Sequence, residues 1–153
     1  MNLSHFVNGI KPAKVVVADD DQSAVDLLRE AFERSAFSCQ LEAVFSGQQL
    51  LDYLRKEEGR EDERPSLILL DLNMPGKDGR QTLREIKADP ELKNIPIIIM
   101  TSSELEEDIE KSYQSGVNAY LKKPNLFADL VKMAGAIKDF WFGCATLPQH
   151  PYI

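Results

Sequence analysis

Short apolar runs alternate with segments of helical periodicity five times along this chain, and that alternation restricts its fold more than any other feature. Residues 14–19 form a first β-branched run, a predicted strand. From Gln22 to about Ser35, Val25, Leu28, Ala31 and Phe32 recur at the spacing of one helix face. Cys39 to Phe45 alternates and reads as a second strand, after which Ser46-Gly47 opens a helix carrying Leu50, Leu51 and Leu54. Leu67–Leu70 is a third strand, followed by a short helix over Gly79–Ala88 that Asp89-Pro90 ends. Ile95–Met100 is continuously apolar, as expected of a strand buried on both faces. Glu106 to Ser115 is a helix stopped by Gly116, Ala119–Leu121 a fifth strand, and about Leu126 to Phe142 a last helix. The nearly all-charged stretch Lys56 to Arg64 reads as a solvated loop or frayed helix end. Strict strand–helix alternation predicts an α/β fold, a doubly wound parallel sheet of five strands with helices on both faces.

In such sheets functional residues gather at the carboxyl ends of the strands. Asp19 and Asp20 end the first run, Asp71 the third, Thr101 the fourth, and Lys123 follows the fifth. If the first and third strands are neighbours, three carboxylates converge there. Like charges that close repel unless a cation joins them, and a divalent metal is the natural partner. A metal-bound carboxylate such as Asp71 can then act as a nucleophile toward phosphorus. Taken singly, each residue has a plainer reading. Asp19 and Asp20 could cap the following helix, as Asp21 is expected to do. A Thr after a buried strand is commonly a turn residue, and a lone Lys-Pro commonly lies on the surface. Lys77, Asp78 and Lys122 read as turn or surface residues. It is the joint occurrence that favours a site.

At 153 residues the chain is about one domain, divided here into a flexible leader (1–13), a domain (14–142) and a tail (143–153). A net charge of −7 argues against nucleic acid as a direct ligand, because phosphate contacts need clustered Lys and Arg. Cys39 and Cys144 lack metal-ligand spacing and read as free thiols. No apolar core opens the chain as a signal peptide would, and no run reaches membrane-helix length, so a cytoplasmic location is expected.

The acid pair after strand one, the stretch Asp71-Leu72-Asn73-Met74-Pro75-Gly76-Lys77-Asp78-Gly79, Thr101-Ser102 after strand four and Lys123-Pro124 after strand five together resemble the active site of a response-regulator receiver domain, the phosphoacceptor half of two-component signalling. The resemblance covers about residues 14–140. Leu92-Lys93-Asn94-Ile95-Pro96, Asp139-Phe140-Trp141-Phe142 and Leu147-Pro148 further resemble the stand-alone regulators paired with phytochrome-type histidine kinases of bacteria. The resemblance implies a CheY-like, flavodoxin-like (βα)5 fold of strand order 2-1-3-4-5. It implies Asp71 as the phosphoacceptor, and Asp20, Asp71 and the Asn73 carbonyl as direct Mg2+ ligands, with Asp19 holding a metal-bound water. It implies Lys123 and Thr101 as partners of the phosphoryl oxygens, and a cis peptide before Pro124. Tyr120 matches an aromatic that turns inward as Thr101 is drawn to the phosphate, a switch acting on helix four, strand five and helix five.

The donor expected from this resemblance is a sensor histidine kinase, since His5 and His150 lie near the termini, outside every predicted element. About eleven residues follow the last helix, too few for a DNA-binding module, so output is expected through a partner or self-association. Phe140, Trp141 and Phe142 splay about the helix axis and cannot all face one core. Some should be exposed, favouring a homodimer through the last helix and tail, against the alternative that they fold back on their own core. Three rival functions remain. A phosphatase that also forms an aspartyl phosphate places an acid two residues after its nucleophile, where this chain has Asn73. A flavin-binding module would meet Asp19-Asp20-Asp21 where it needs a phosphate loop. A receiver-shaped interaction module could signal without phosphorylation. Turnover enzymology is therefore not expected.

Overall fold

The computed structural model describes residues 13–35, 39–56 and 64–148. Among the described residues ten elements alternate: β1 (Ala13–Ala18), α1 (Gln22–Glu33), β2 (Cys39–Val44), α2 (Gly47–Lys56), β3 (Leu67–Leu70), α3 (Gly79–Ala88), β4 (Ile97–Thr101), α4 (Glu106–Gln114), β5 (Ala119–Lys122) and α5 (Phe127–Gly143). All strand pairs are parallel, in the order β2-β1-β3-β4-β5. The fold is therefore the doubly wound α/β architecture expected from the alternation.

The sheet's two faces separate by the two-residue period of a strand. Val16, Ala18, Ile68, Leu70, Ile97 and Ile99 pack with Leu50, Leu51 and Leu54 of α2 and Leu83 and Ile86 of α3. Val15, Val17, Leu67, Leu69, Ile98 and Met100 face the other way, against Val25, Leu28 and Phe32 of α1 and Ala134 and Ile137 of α5. Burying each of these side chains larger than alanine stabilises the fold by about 1.5–3 kcal/mol. Because β1, β3 and β4 are covered on both faces, they read in sequence as unbroken apolar runs.

Helix starts follow local chemistry. Asp21 caps α1, accepting from the Ser23 and Ala24 amides, and Asp78 caps α3, accepting from Gln81. Three acids, Glu106, Glu107 and Asp108, stand in the first turn of α4, where the helix dipole favours them. Gly116, at φ 101°, ends that helix as expected. Gly79 has a different necessity: a Cβ there would lie 2.1 Å from the Asp71 carbonyl oxygen, so only glycine lets α3 start this close to β3.

Three expectations need correction. Ala13 is the first residue of β1 and not part of a leader; residues 1–12 lie outside the described residues, as do His5, His150 and the tail beyond Pro148. Arg64 is buried and not solvated, since its guanidinium docks on the loop after α3 and donates to the Glu91 carbonyl at 2.9 Å; residues 57–63 lie outside the described residues. No cis peptide occurs among the described residues, so the bond before Pro124 is trans. Trans is the default even before proline, and Lys123 reaches the acids without help from a cis turn. Among the described residues no helix is long and apolar enough to cross a membrane.

Candidate phosphoacceptor site

Strand register assembles the site. Ala18 pairs with Leu70, so Asp19 and Asp71 leave adjacent strands side by side, and the Asp71 amide donates to the Ala18 carbonyl at 3.0 Å. Thr101 pairs with Lys122, and the Lys123 amide donates to the Thr101 carbonyl at 2.8 Å. Four strands thus deliver Asp19, Asp71, Thr101 and Lys123 to one edge.

Asp71 is 6% exposed and both its oxygens are engaged. Its Oδ1 accepts from the Thr101 hydroxyl at 2.8 Å and from the Asn73 amide at 3.0 Å. Its Oδ2 accepts from the Lys123 ammonium at 2.9 Å. Lys123 also donates to Asp19 Oδ2 at 2.6 Å, while Asp19 Oδ1 accepts from the Asp21 amide at 3.0 Å and braces the turn into α1. Asp20 is exposed. Capping of α1 therefore falls to Asp21, leaving Asp19 and Asp20 for the cluster.

Charge in the cluster is only partly balanced. Burial pushes the Asp19 carboxyl above the ordinary value, against the pull of the Lys123 and Asp21 hydrogen bonds. Burial alone would lower the Lys123 ammonium, but its bonds to Asp19 and Asp71 outweigh that and hold it above the ordinary value. Three carboxylates thus share one ammonium, which leaves a surplus of negative charge in the cluster. Carboxylate oxygens of Asp19, Asp20 and Asp71 lie within 4.8 Å of one another. Hard oxygen donors, this close and short of positive charge, fit a divalent cation.

Other predicted residues fall as follows. Asn73 is exposed at the site rim. Tyr120 is half-buried, and its hydroxyl donates to the Ser103 carbonyl at 2.9 Å, tying β5 to the β4–α4 loop. Phe140 is 55% exposed, whereas Trp141 and Phe142 are half-buried and pack on the α1/α5 side of the core. The three aromatics therefore divide between surface and core. Lys122 pairs with Glu104 at 2.6 Å and Lys77 with Glu85 at 2.8 Å, both near the surface.

Sequence reasoning missed Arg80 and Asp108. Arg80 forks onto Asp108 at 2.7 Å on both arms, and Ser103 donates to Asp108 at 2.6 Å. The available signal was that α4 lacks an apolar stripe: Asp108 and Ser112 are its buried residues.

A family profile for the response regulator receiver domain matches residues 15–135. Response regulator Rcp1 of Synechocystis sp. is 38% identical over 138 residues, covering 90% of this chain and 94% of the relative. Its Mn2+-bound crystal structure superposes with a TM-score of 0.80, covering 90% of this chain and 99% of that one. The phosphorylated cyanobacterial phytochrome response regulator RcpA gives a TM-score of 0.81 at 40% identity, with 90% and 99% covered. RPA3017, a response regulator in red light signalling of R. palustris, gives 0.81 at 35% identity with the same shares. Matched in profile over most of its length, and in sequence and structure to phytochrome response regulators, this chain belongs to the response-regulator receiver family.

Proposed function

We propose that this protein receives a phosphoryl group on Asp71 from a sensor histidine kinase, of phytochrome type, with Mg2+ as the working cation. The observation that carries the reading is the Asp71 carboxylate itself: buried, flanked by a hydroxyl at 2.8 Å and an ammonium at 2.9 Å, and within 4.8 Å of two further acids. The likeness to RcpA, whose phosphorylated form is known, and to Rcp1, whose Mn2+ form is known, supports it.

In the transfer, an Asp71 oxygen attacks phosphorus, the P–N bond of the donor breaks, and the leaving nitrogen takes a proton. Asp20 and Asp71, with the Asn73 carbonyl, would hold the divalent cation, Asp19 acting through a bound water. When bound, that cation neutralises negative charge on the transferring group. Lys123 is released from Asp71 Oδ2 to pair with a phosphoryl oxygen, and the Thr101 hydroxyl turns from Asp71 Oδ1 to another. Positioning and charge neutralisation do most of the work. Asn73 cannot transfer a proton at neutral pH, so the acyl phosphate persists, as suits a signal; receiver domains are in general signalling modules.

Thr101 and Tyr120 form the switch. Movement of Thr101 loosens the β4–α4 loop to which the Tyr120 hydroxyl is bonded, and the ring repacks. The receiver unit runs from the start of β1 at Ala13 to the end of α5 at Gly143. Output is self-association through α5, with Phe140, Trp141 and Phe142 at the contact, so the working species is a homodimer. The test is intact mass after incubation with phosphoramidate and Mg2+. One phosphoryl adduct on the wild type, absent from Asp71→Asn and abolished by chelator, is expected; an adduct that survives in Asp71→Asn sinks the reading.

A further inference from the structure

Arg80 and Asp108 join the first turns of α3 and α4 outside the acidic cluster. Arg80 Nε lies 2.7 Å from Asp108 Oδ1 and Nη2 lies 2.7 Å from Oδ2, a two-pronged contact of guanidinium on carboxylate. Asp108 is 7% exposed. Its hydrogen bonds from Arg80, against the effect of burial and with help from Ser103, hold its carboxyl down to about 2.

The same guanidinium reaches back over the site. Nη2 is 3.4 Å from Asn73 Oδ1, and Nη1 is 3.4 Å from the Leu72 carbonyl. Asn73 in turn spans Asp71 and Thr101. Its amide donates to Asp71 Oδ1 at 3.0 Å, and its Nδ2 approaches Thr101 Oγ1 at 3.4 Å. Asp71 and Thr101 are buried while Asn73 is exposed, so the Asn73 carboxamide forms the solvent rim above the reacting carboxylate.

We propose that Arg80, held by Asp108, is a positioning residue that fixes the Asn73 side chain over Asp71 and so limits attack of water on the aspartyl phosphate. The proposal rests on Asp71 being the phosphoacceptor. In hydrolysis a bond forms between the water oxygen and phosphorus and the Asp71 Oδ–P bond breaks. Phosphate leaves with the water's oxygen, the water's protons pass to phosphate and solvent, and the Asp71 carboxylate is restored. Water must come in line with the breaking bond, from the solvent side. That is the side on which the Asn73 carboxamide stands. Arginine suits the task because its rigid fork engages Asp108 with two donors while a shared arm serves Asn73. Lysine would keep the charge and lose the second arm.

The test measures two rates on the full chain by intact mass: adduct formation with phosphoramidate and Mg2+, and adduct decay after the donor is removed. Arg80→Ala is expected to speed decay about fivefold while changing formation less than about twofold, the size that loss of one ordinary hydrogen bond at a reacting group produces. Arg80→Lys preserves the ion pair with Asp108, and hence the fold, and is expected to speed decay in the same direction. In an Asn73→Ala background the effect of Arg80→Ala should vanish, because the residue through which it acts is gone. Unchanged decay in Arg80→Lys and Arg80→Ala overturns the proposal. So does a full Arg80→Ala effect in the Asn73→Ala background, which would mark a purely structural role. A wild type that takes no adduct overturns the Asp71 reading and this proposal together, and is distinguished from the other failures by the missing adduct itself.

Discussion

The Lys123 ammonium lies 2.9 Å from Asp71 Oδ2 and thus holds, with its other contact to Asp19 at 2.6 Å, the place of positive charge in the acidic cluster. A bound divalent cation and this ammonium would share the same two carboxylates. They compete for charge, yet only the lysine can swing away to meet a phosphoryl oxygen.

Lys123→Met should therefore split two properties that a damaged site would lose together. Removing the competing charge should tighten Mn2+ binding, read by electron paramagnetic resonance, by about tenfold. Removing a donor to the transferring group should slow adduct formation by about a hundredfold. Weaker Mn2+ binding in Lys123→Met would mean that the lysine shapes the cation site and does not compete for it.

Acid should reveal the Arg80–Asp108 pair through stability. The Asp108 carboxyl is held down to about 2, against an ordinary value of 3.8, first by Arg80 and then by Ser103. A folded-state value below the unfolded one favours the fold where the group is ionised in both states, that is above about pH 4. The contribution is lost as pH falls from there through 2. The shift corresponds to about 2 kcal/mol. Asp108→Asn should cost about that much in urea unfolding at pH 7, and the gap to wild type should close progressively between about pH 4 and pH 2. A gap that stays constant across this range would show that the cost is packing and not charge.

The sheet was legible because β1, β3 and β4 are buried on both faces and advertise themselves as apolar runs. The polar residues that end those runs had no core role to explain them, so Asp19, Asp71, Thr101 and Lys123 stood out. Residues whose partners are distant in sequence did not. Arg80 and Asp108 are 28 positions apart, and nothing local distinguishes Asp108 from Glu106 and Glu107 beside it. Lys138 on α5 is 2% exposed, and its amine donates to the Phe32 carbonyl at 2.7 Å, a contact made only when α5 docks on the end of α1. Arg64 was misread for the same reason: a charged stretch is solvated by default, and the carbonyl that receives this guanidinium is Glu91, 27 residues away. Charge patterning sees one chain segment at a time, while burial of a charge depends on the segment opposite.

The aromatic end of α5 should separate association from folding. Phe140 is 55% exposed and meets the Trp141 ring edge-on at 5.3 Å, whereas Trp141 and Phe142 lean on the α1/α5 core. An exposed aromatic beside a half-buried pair is the arrangement expected of an interface anchor. Phe140→Ser should therefore leave unfolding within about 0.5 kcal/mol of wild type, as surface substitutions usually do. The same variant should shift the sedimentation coefficient from dimer toward monomer. Trp141→Ala, which removes core contacts as well, should lose stability by about 2 kcal/mol. A wild type that sediments as a monomer with and without the phosphoryl group would remove the dimer and leave the α5 face free for a different protein. A Phe140→Ser that unfolds early would instead place Phe140 in the protein's own packing.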